Sequence, residues 1–328
     1  MSTLESNKLP PNFTFKMLST KYLNEIFTLL NNHYIEDDIC RLTYTKEFLY
    51  WYIKSGSIML GLLYKNKLVG LISAITMDIS VVEKVHKVAY VNFLCVHKKI
   101  RGAALGKYLV NEICNRVDKN IFFTKKKLES DLDYFCTTTD YIIPINEQKL
   151  RRINFLSDED ELEKLPLMTN NLLHLMSEAD IKFIVPKLNA FMNKYAVKPI
   201  FSNDMALNYL LPKKNIVYSF VNRSKDTMAV TDFICVYKTL LYALEKQEYI
   251  NIANVAFYYH ETMNLTELIA NLIDKLRTYD FDQLVFRNMA DNTNINITKF
   301  SSYGELNYFL PGIHVDPIDS SKICIFPF

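Results

Sequence analysis

Lys87 to Val110 reads KVAYVNFLCVHKKIRGAALGKYLV, and the rest of the chain is organised around it. Val88 to Val96 is a run of mostly apolar, β-favoured residues, too short for an isolated helix, and predicts a buried strand. His97 to Arg101 is a polar, basic break. Gly102-Ala-Ala-Leu-Gly106 then opens a segment with apolar side chains at Leu105, Leu109, Ile113 and Val117, the spacing of one helix face. A strand, a basic loop, small residues and a helix together make an anion cradle, because free N–H groups and the helix dipole point at the loop. The small side chains of Gly102, Ala103, Ala104 and Gly106 let a phosphate reach the main chain.

Outward from this stretch, composition narrows the choices. A chain of 328 residues exceeds an ordinary single domain, so two packed units are expected. Apolar residues at 49% supply a full core, and a net charge of +2 argues against a protein that coats nucleic acid. Only seven glycines are present, none between Lys107 and Tyr303, which removes the glycine-rich loops of ATP and dinucleotide sites. The six cysteines form no CxxC pair, so no metal site is expected and the thiols should be free. The N-terminus is polar and no apolar run reaches membrane-spanning length, so a soluble, cytoplasmic protein without stable membrane insertion is expected. A monomer is expected as well.

The order of elements repeats. Thr20 to Asn32 has one apolar helix face, and Ser57 to Tyr64 with Leu68 to Thr76 reads as a hairpin around Lys65-Asn66-Lys67. The central strand and its helix follow, then a short strand at Asn120 to Thr124. Ala179 to Tyr195 is again helical, Ile216 to Asn222 and Met228 to Tyr237 again form a hairpin, and Ile250 to Tyr259 is a second long strand. Leu265 to Tyr279 is amphipathic and Gln283 to Phe286 is a short strand. This predicts a duplicated domain, with the charge-rich Ser157 to Lys164 as linker and halves of residues 1–160 and 161–328. The second half lacks the small-residue loop and has Tyr259-His-Glu-Thr-Met263 in its place, so one half should hold the anion. The tail, Lys322 to Phe328, alternates in polarity and predicts a strand returning to the core.

Arg101-x-x-Ala104-x-Gly106 resembles the pyrophosphate loop of the GNAT N-acetyltransferase superfamily. Val91 to Lys98, VNFLCVHK, is similar to the sharper signature of the glycylpeptide N-tetradecanoyltransferases (N-myristoyltransferases), although Tyr90 stands where that pattern begins with Glu. Leu9 to Phe15, Tyr34 to Trp51, Leu68 to Ile75 and Asn146 to Phe155 resemble the same family, as do Val230 to Phe233, Ala256 to Tyr258 and Lys299-Phe300. Between Lys125 and Gln148 the likeness fails: the family's threonine and histidine have no clear counterpart, and its peptide-site histidine appears as Ala196.

The resemblance implies an α/β fold of two pseudo-repeated GNAT-like halves, each a mixed, mostly antiparallel sheet flanked by helices. It implies transfer of a myristoyl group from myristoyl-CoA to the N-terminal glycine of a protein, with no metal. Main-chain N–H groups of Phe93 and Leu94 would hold the oxyanion, and the terminal carboxylate of Phe328 would act as general base. Acyl-CoA would lie along Phe93, Leu94, Cys95, Val96, Arg101, Gly102, Ala103, Ala104, Leu105 and Gly106. The peptide would meet Tyr34, Glu36, Asp37 and Asp38. The family's Ser-Lys-Arg phosphate contacts appear here as Gly102-Ala-Ala104.

Losing one oxyanion donor costs about 2.7–4 kcal/mol, so no side-chain nucleophile is needed. An amine with a pKa of about 7.7–8.0 needs only mild help from a base. Each buried methylene adds about 0.8 kcal/mol, so a long acyl chain can offset weak phosphate contacts. Cys95 as an acyl carrier and His97 as base are weaker alternatives on the residues alone. Two other functions fit: a GNAT enzyme for a shorter acyl group or another amine, and a relative that only binds acyl-CoA or glycyl peptides.

Overall fold

The computed structural model describes residues 9–117, 119–126, 133–157, 171–295 and 300–326. The predicted linker lies outside these residues except for Ser157, and so does the expected boundary between the halves. The first part runs β1 (Phe13–Met17), α1 (Leu23–His33), β2 (Cys40–Thr43), α2 (Lys46–Lys54), β3 (Ile58–Tyr64), β4 (Lys67–Val81), β5 (Lys84–Val96), α3 (Leu105–Arg116), β6 (Asn120–Lys126), β7 (Cys136–Pro144) and α4 (Glu147–Arg152). The second runs β8 (His174–Leu175), α5 (Ile181–Met192), β9 (Val197–Pro199), α6 (Asn203–Tyr209), β10 (Val217–Arg223), β11 (Val230–Ala243), β12 (Glu248–His260), α7 (Leu265–Arg277), β13 (Gln283–Arg287) and β14 (Ser301–Phe309).

The repeat is visible in the pairing. β3, β4 and β5 form an antiparallel meander, α3 crosses over, and β6 returns parallel to β5. β10, β11 and β12 do the same, and β13 returns parallel to β12 across α7. The β3–β4 turn is tight because Lys65 and Asn66 both take left-handed φ, 46° and 66°, the two-residue geometry that matches strand twist. Alternation sorts the faces. Leu71 and Ile75 pack in the cluster that holds α1 and α2, while Ile72 and Ala74 pack in a separate cluster under α3.

The halves are joined by reciprocal exchange of their last strands. β7 follows β6 in the chain yet pairs with β13, and β14 follows β13 yet pairs with β6. β7 and β14 then pair with each other, closing one 14-stranded sheet in the order β1-β3-β4-β5-β6-β14-β7-β13-β12-β11-β10-β8, with β2 on β11 and β9 on β4. At the join, Arg287 of β13 makes a two-pronged pair with Asp140 of β7, at 2.6 and 2.9 Å, and donates to the Tyr308 hydroxyl of β14 at 3.2 Å.

The expected tail strand is reduced to a single bridge. Ile323 pairs parallel with Val197, the Cys324 N–H donates to the Val197 carbonyl at 2.8 Å, and Ala196 donates to the Lys322 carbonyl at 2.7 Å. Ile323, Cys324, Ile325 and Phe326 are nevertheless all buried.

Candidate active site

The centre of the site is a break in the β4–β5 ladder. Leu71 faces Cys95 and Ser73 faces Asn92, so the two residues Phe93 and Leu94 stand opposite the single residue Ile72. That is a β-bulge, and Phe93 takes φ 54°, a left-handed conformation costing a non-glycine residue about 1–3 kcal/mol. The surroundings hold it there. The Phe93 ring is fully buried and meets Tyr44 and Tyr52 edge-on at 5.0 and 4.9 Å. On its other edge β5 pairs with β6 only at Val88, Ala89 and Tyr90, so the strand has left its partner before the bulge begins. Leu94 is exposed.

The Phe93 N–H donates to the Asn92 side-chain oxygen at 2.8 Å, and the Tyr34 hydroxyl lies 3.5 Å from that oxygen. In the sequence Asn92 is marked only as a polar residue inside an otherwise apolar strand. Tyr34 packs edge-on against Phe93, and burial pushes its hydroxyl pKa up.

The loop after β5 is held by the end of α1 and the acidic segment that follows it. Glu36 pairs with Lys98 and with Arg41, the latter at 3.2 Å. Arg101 donates to the carbonyls of Val96 at 3.1 Å and Tyr34 at 3.4 Å, and also to that of His33. Asp37 spends one carboxylate oxygen on the N–H groups of Ile39 and Cys40, at 2.9 and 2.7 Å. Of the three acidic residues, Glu36 alone makes an ion pair among the described residues; Asp37 is held by main-chain N–H groups, and Asp38 is exposed. His97 accepts the Lys99 N–H on Nδ1 at 3.2 Å and lies ring against ring with His33 at 3.9 Å. Burial, with His97, Lys98, Arg101 and Arg41 close by, pushes the His33 pKa down.

Beyond Arg101 the loop is open. Gly102 has φ 91° and Ala104 φ 55°, and the N–H groups of Gly102, Ala103, Ala104, Leu105 and Gly106 donate to nothing among the described residues. Gly102, Ala103 and Ala104 are exposed, and Leu105 is buried under the helix it starts. Adjacent main-chain donors in left-handed turns at a helix start form an anion nest. Burial pushes the Cys95 thiol up to about 12, which favours the thiol over the nucleophilic thiolate.

The tail approaches from the second half. Phe326 stacks on Tyr237 at 5.5 Å, Tyr237 contacts Trp51 at 6.0 Å, Trp51 contacts Tyr52 at 6.5 Å, and Tyr52 contacts Phe93. The tail and the bulge are thus joined through one aromatic cluster. Phe328, the expected base, lies outside the described residues.

Two family models account for nearly all of the chain: the N-terminal domain of myristoyl-CoA:protein N-myristoyltransferase over residues 3–125, and its C-terminal domain over residues 145–322. The chain belongs to the N-myristoyltransferase family. A protein of Acanthamoeba polyphaga mimivirus carrying the name glycylpeptide N-tetradecanoyltransferase is 44% identical over 310 residues, which cover 92% of this chain and 86% of that one. The glycylpeptide N-tetradecanoyltransferase of Plasmodium falciparum is 30% identical over 350 residues, covering 98% and 84%. Saccharomyces cerevisiae N-myristoyltransferase, solved with bound myristoyl-CoA, shares the fold with a TM-score of 0.86 at 24% identity, over 96% of this chain and 83% of that one. As a family member the chain is an acyltransferase. The N-myristoyltransferase match resumes at residue 145, so the stretch between the two models is also where the sequence resemblance lapsed. No helix among the described residues is long and apolar enough to cross a membrane.

Proposed function

We propose that this enzyme moves a myristoyl group from CoA to the amine of an N-terminal glycine, with the Phe93–Leu94 bulge as oxyanion hole and its own terminal carboxylate as base. The observation that carries the reading is the bulge itself, which sets Phe93 and Leu94 together opposite the single residue Ile72, just past the point where β5 leaves β6. The thioester carbonyl takes the place of the Asn92 side-chain oxygen on the Phe93 N–H. The free nest at Gly102–Gly106 takes the CoA phosphates, supplemented by Lys98 and Arg101 once they leave Glu36 and the carbonyls of the first helix end.

The amine attacks the carbonyl carbon, forming the C–N bond while negative charge builds on the oxygen held by the two N–H groups. Collapse breaks the C–S bond. The proton leaving nitrogen passes to the Phe328 carboxylate and the thiolate departs as CoA. The buried aromatic approach of Cys324 to Phe326 supports this base, because desolvation raises a carboxylate's pKa towards a useful value. Asp38 meets a basic side chain of the peptide.

The test is a CoA-release assay with a glycine-starting peptide and acyl-CoAs from acetyl to palmitoyl. Turnover should peak at myristoyl and vanish when the glycine amine is acetylated. Fastest turnover with acetyl-CoA, or tight binding with no CoA release, contradicts the proposal.

A further inference from the structure

The loop after β12 occupies the place in the second half that the open nest occupies in the first. Each follows the long strand and precedes the crossover helix. In the second half it is full. Asp232, on β11 opposite the last residue of β12, His260, is completely buried. One of its carboxylate oxygens accepts the main-chain N–H groups of Glu261, Thr262 and Met263, at 3.0, 3.1 and 3.1 Å. The other accepts the Thr231 hydroxyl at 2.8 Å, the Thr262 hydroxyl at 2.5 Å and the Asn222 amide at 3.0 Å. The next N–H, that of Asn264, goes to Glu267 in a capping box, at 2.9 Å. The matching position of the first half, opposite the last residue of β5, is Gly70, which has no side chain to offer.

We infer that the loop at Glu261–Met263 is an anion cradle filled by the chain's own carboxylate, Asp232, so that one half of the duplicated fold is left open to a phosphorylated ligand. The native site is closed to solutes. Emptied, it takes a small carboxylate or comparable oxyanion. Three converging main-chain donors and two hydroxyls meet at a fully buried carboxylate, whose six bonds satisfy them. The inference rests on the proposed function only for what fills the first cradle. The contents of the second are a matter of the distances above.

The test replaces the missing side chain with a solute. In the full-length chain, Asp232→Gly removes the equivalent of an acetate ion. Its thermal midpoint is compared in sodium acetate and in sodium chloride at equal ionic strength, beside the parent protein and Asp232→Asn. The glycine variant should be destabilised and should regain several degrees in acetate, saturably, while the parent responds alike to both salts. Asp232→Asn, whose amide fills the space, should gain nothing from acetate, and its Glu261, Thr262 and Met263 amides should exchange faster than in the parent. If the glycine variant does not fold, the exchange rates of the asparagine variant decide. Equal responses of the glycine variant to the two salts, or unchanged exchange in the asparagine variant, overturn the inference. Neither readout involves acyl transfer, so a failed turnover assay leaves this one standing.

Discussion

Phe93 shows how a side chain can hold a main-chain conformation, the one on which the proposed oxyanion hole depends. Its ring is clamped by Tyr44, Tyr52 and Tyr34, and that clamp holds φ at 54° and turns the following peptide out of the ladder. On the proposed mechanism, conventional side-chain substitution leaves the oxyanion donors in place. Leu94→Pro deletes one N–H at an exposed bulge position, where proline is tolerated. It should lower kcat by about 10²–10³ with little change in peptide KM, read from initial rates. Asp38→Lys acts differently. A single exposed carboxylate meeting a basic peptide side chain should raise the KM of a basic peptide by up to about fivefold, with kcat unchanged. Asn92 and the pairing of Glu36 with Lys98 were not legible in the sequence, because both depend on side chains that meet across elements.

At the scale of elements, β5 and α3 could be read directly, since apolar runs and a helix-spaced stripe are local properties of a sequence. Of the helix face predicted from Leu105, Leu109, Ile113 and Val117, the first three form the buried face of α3, and Val117, also buried, is the extended residue that ends it. The exchange of β7 and β14 could not be read. Strand order is set by contacts between residues far apart in the chain, and the β7 region is where family likeness lapsed. The plugged loop after β12 shows the same limit. Its sequence says only that the small residues are missing, and Asp232 lies some thirty positions upstream (|i−j| of 29 to 31 to its three amides).

Hydrogen bonds from Thr262, Asn222, Met263 and Thr231 outweigh burial and hold the Asp232 carboxyl at about 2, below its ordinary 3.8. A lowered folded value adds stability above the unfolded value, and that stability is lost as pH falls from 3.8 through 2. Asp232→Asn should therefore flatten the fall of stability across that window, as measured by urea midpoints at successive pH values.

For the whole molecule, one sheet carries both halves, and the largely buried Arg287–Asp140 pair, its side chains 11% and 17% exposed, sits at the junction of β13, β7 and β14. Removing one partner of a buried pair leaves a charge without its counterion. Arg287→Ala should cost up to about 3 kcal/mol in chemical unfolding, below the full-burial range because solvent still reaches the pair, and both halves should respond because the strands are shared. The central claim concerns the thioester oxygen, and it can be observed directly. The infrared stretch of myristoyl-CoA labelled with carbon-13 at its carbonyl, bound to the full-length enzyme, reports the hydrogen bonds that oxygen accepts. The stretch should move to lower wavenumber than in free myristoyl-CoA and move part of the way back in Leu94→Pro; a bound stretch equal to the free one would contradict the account.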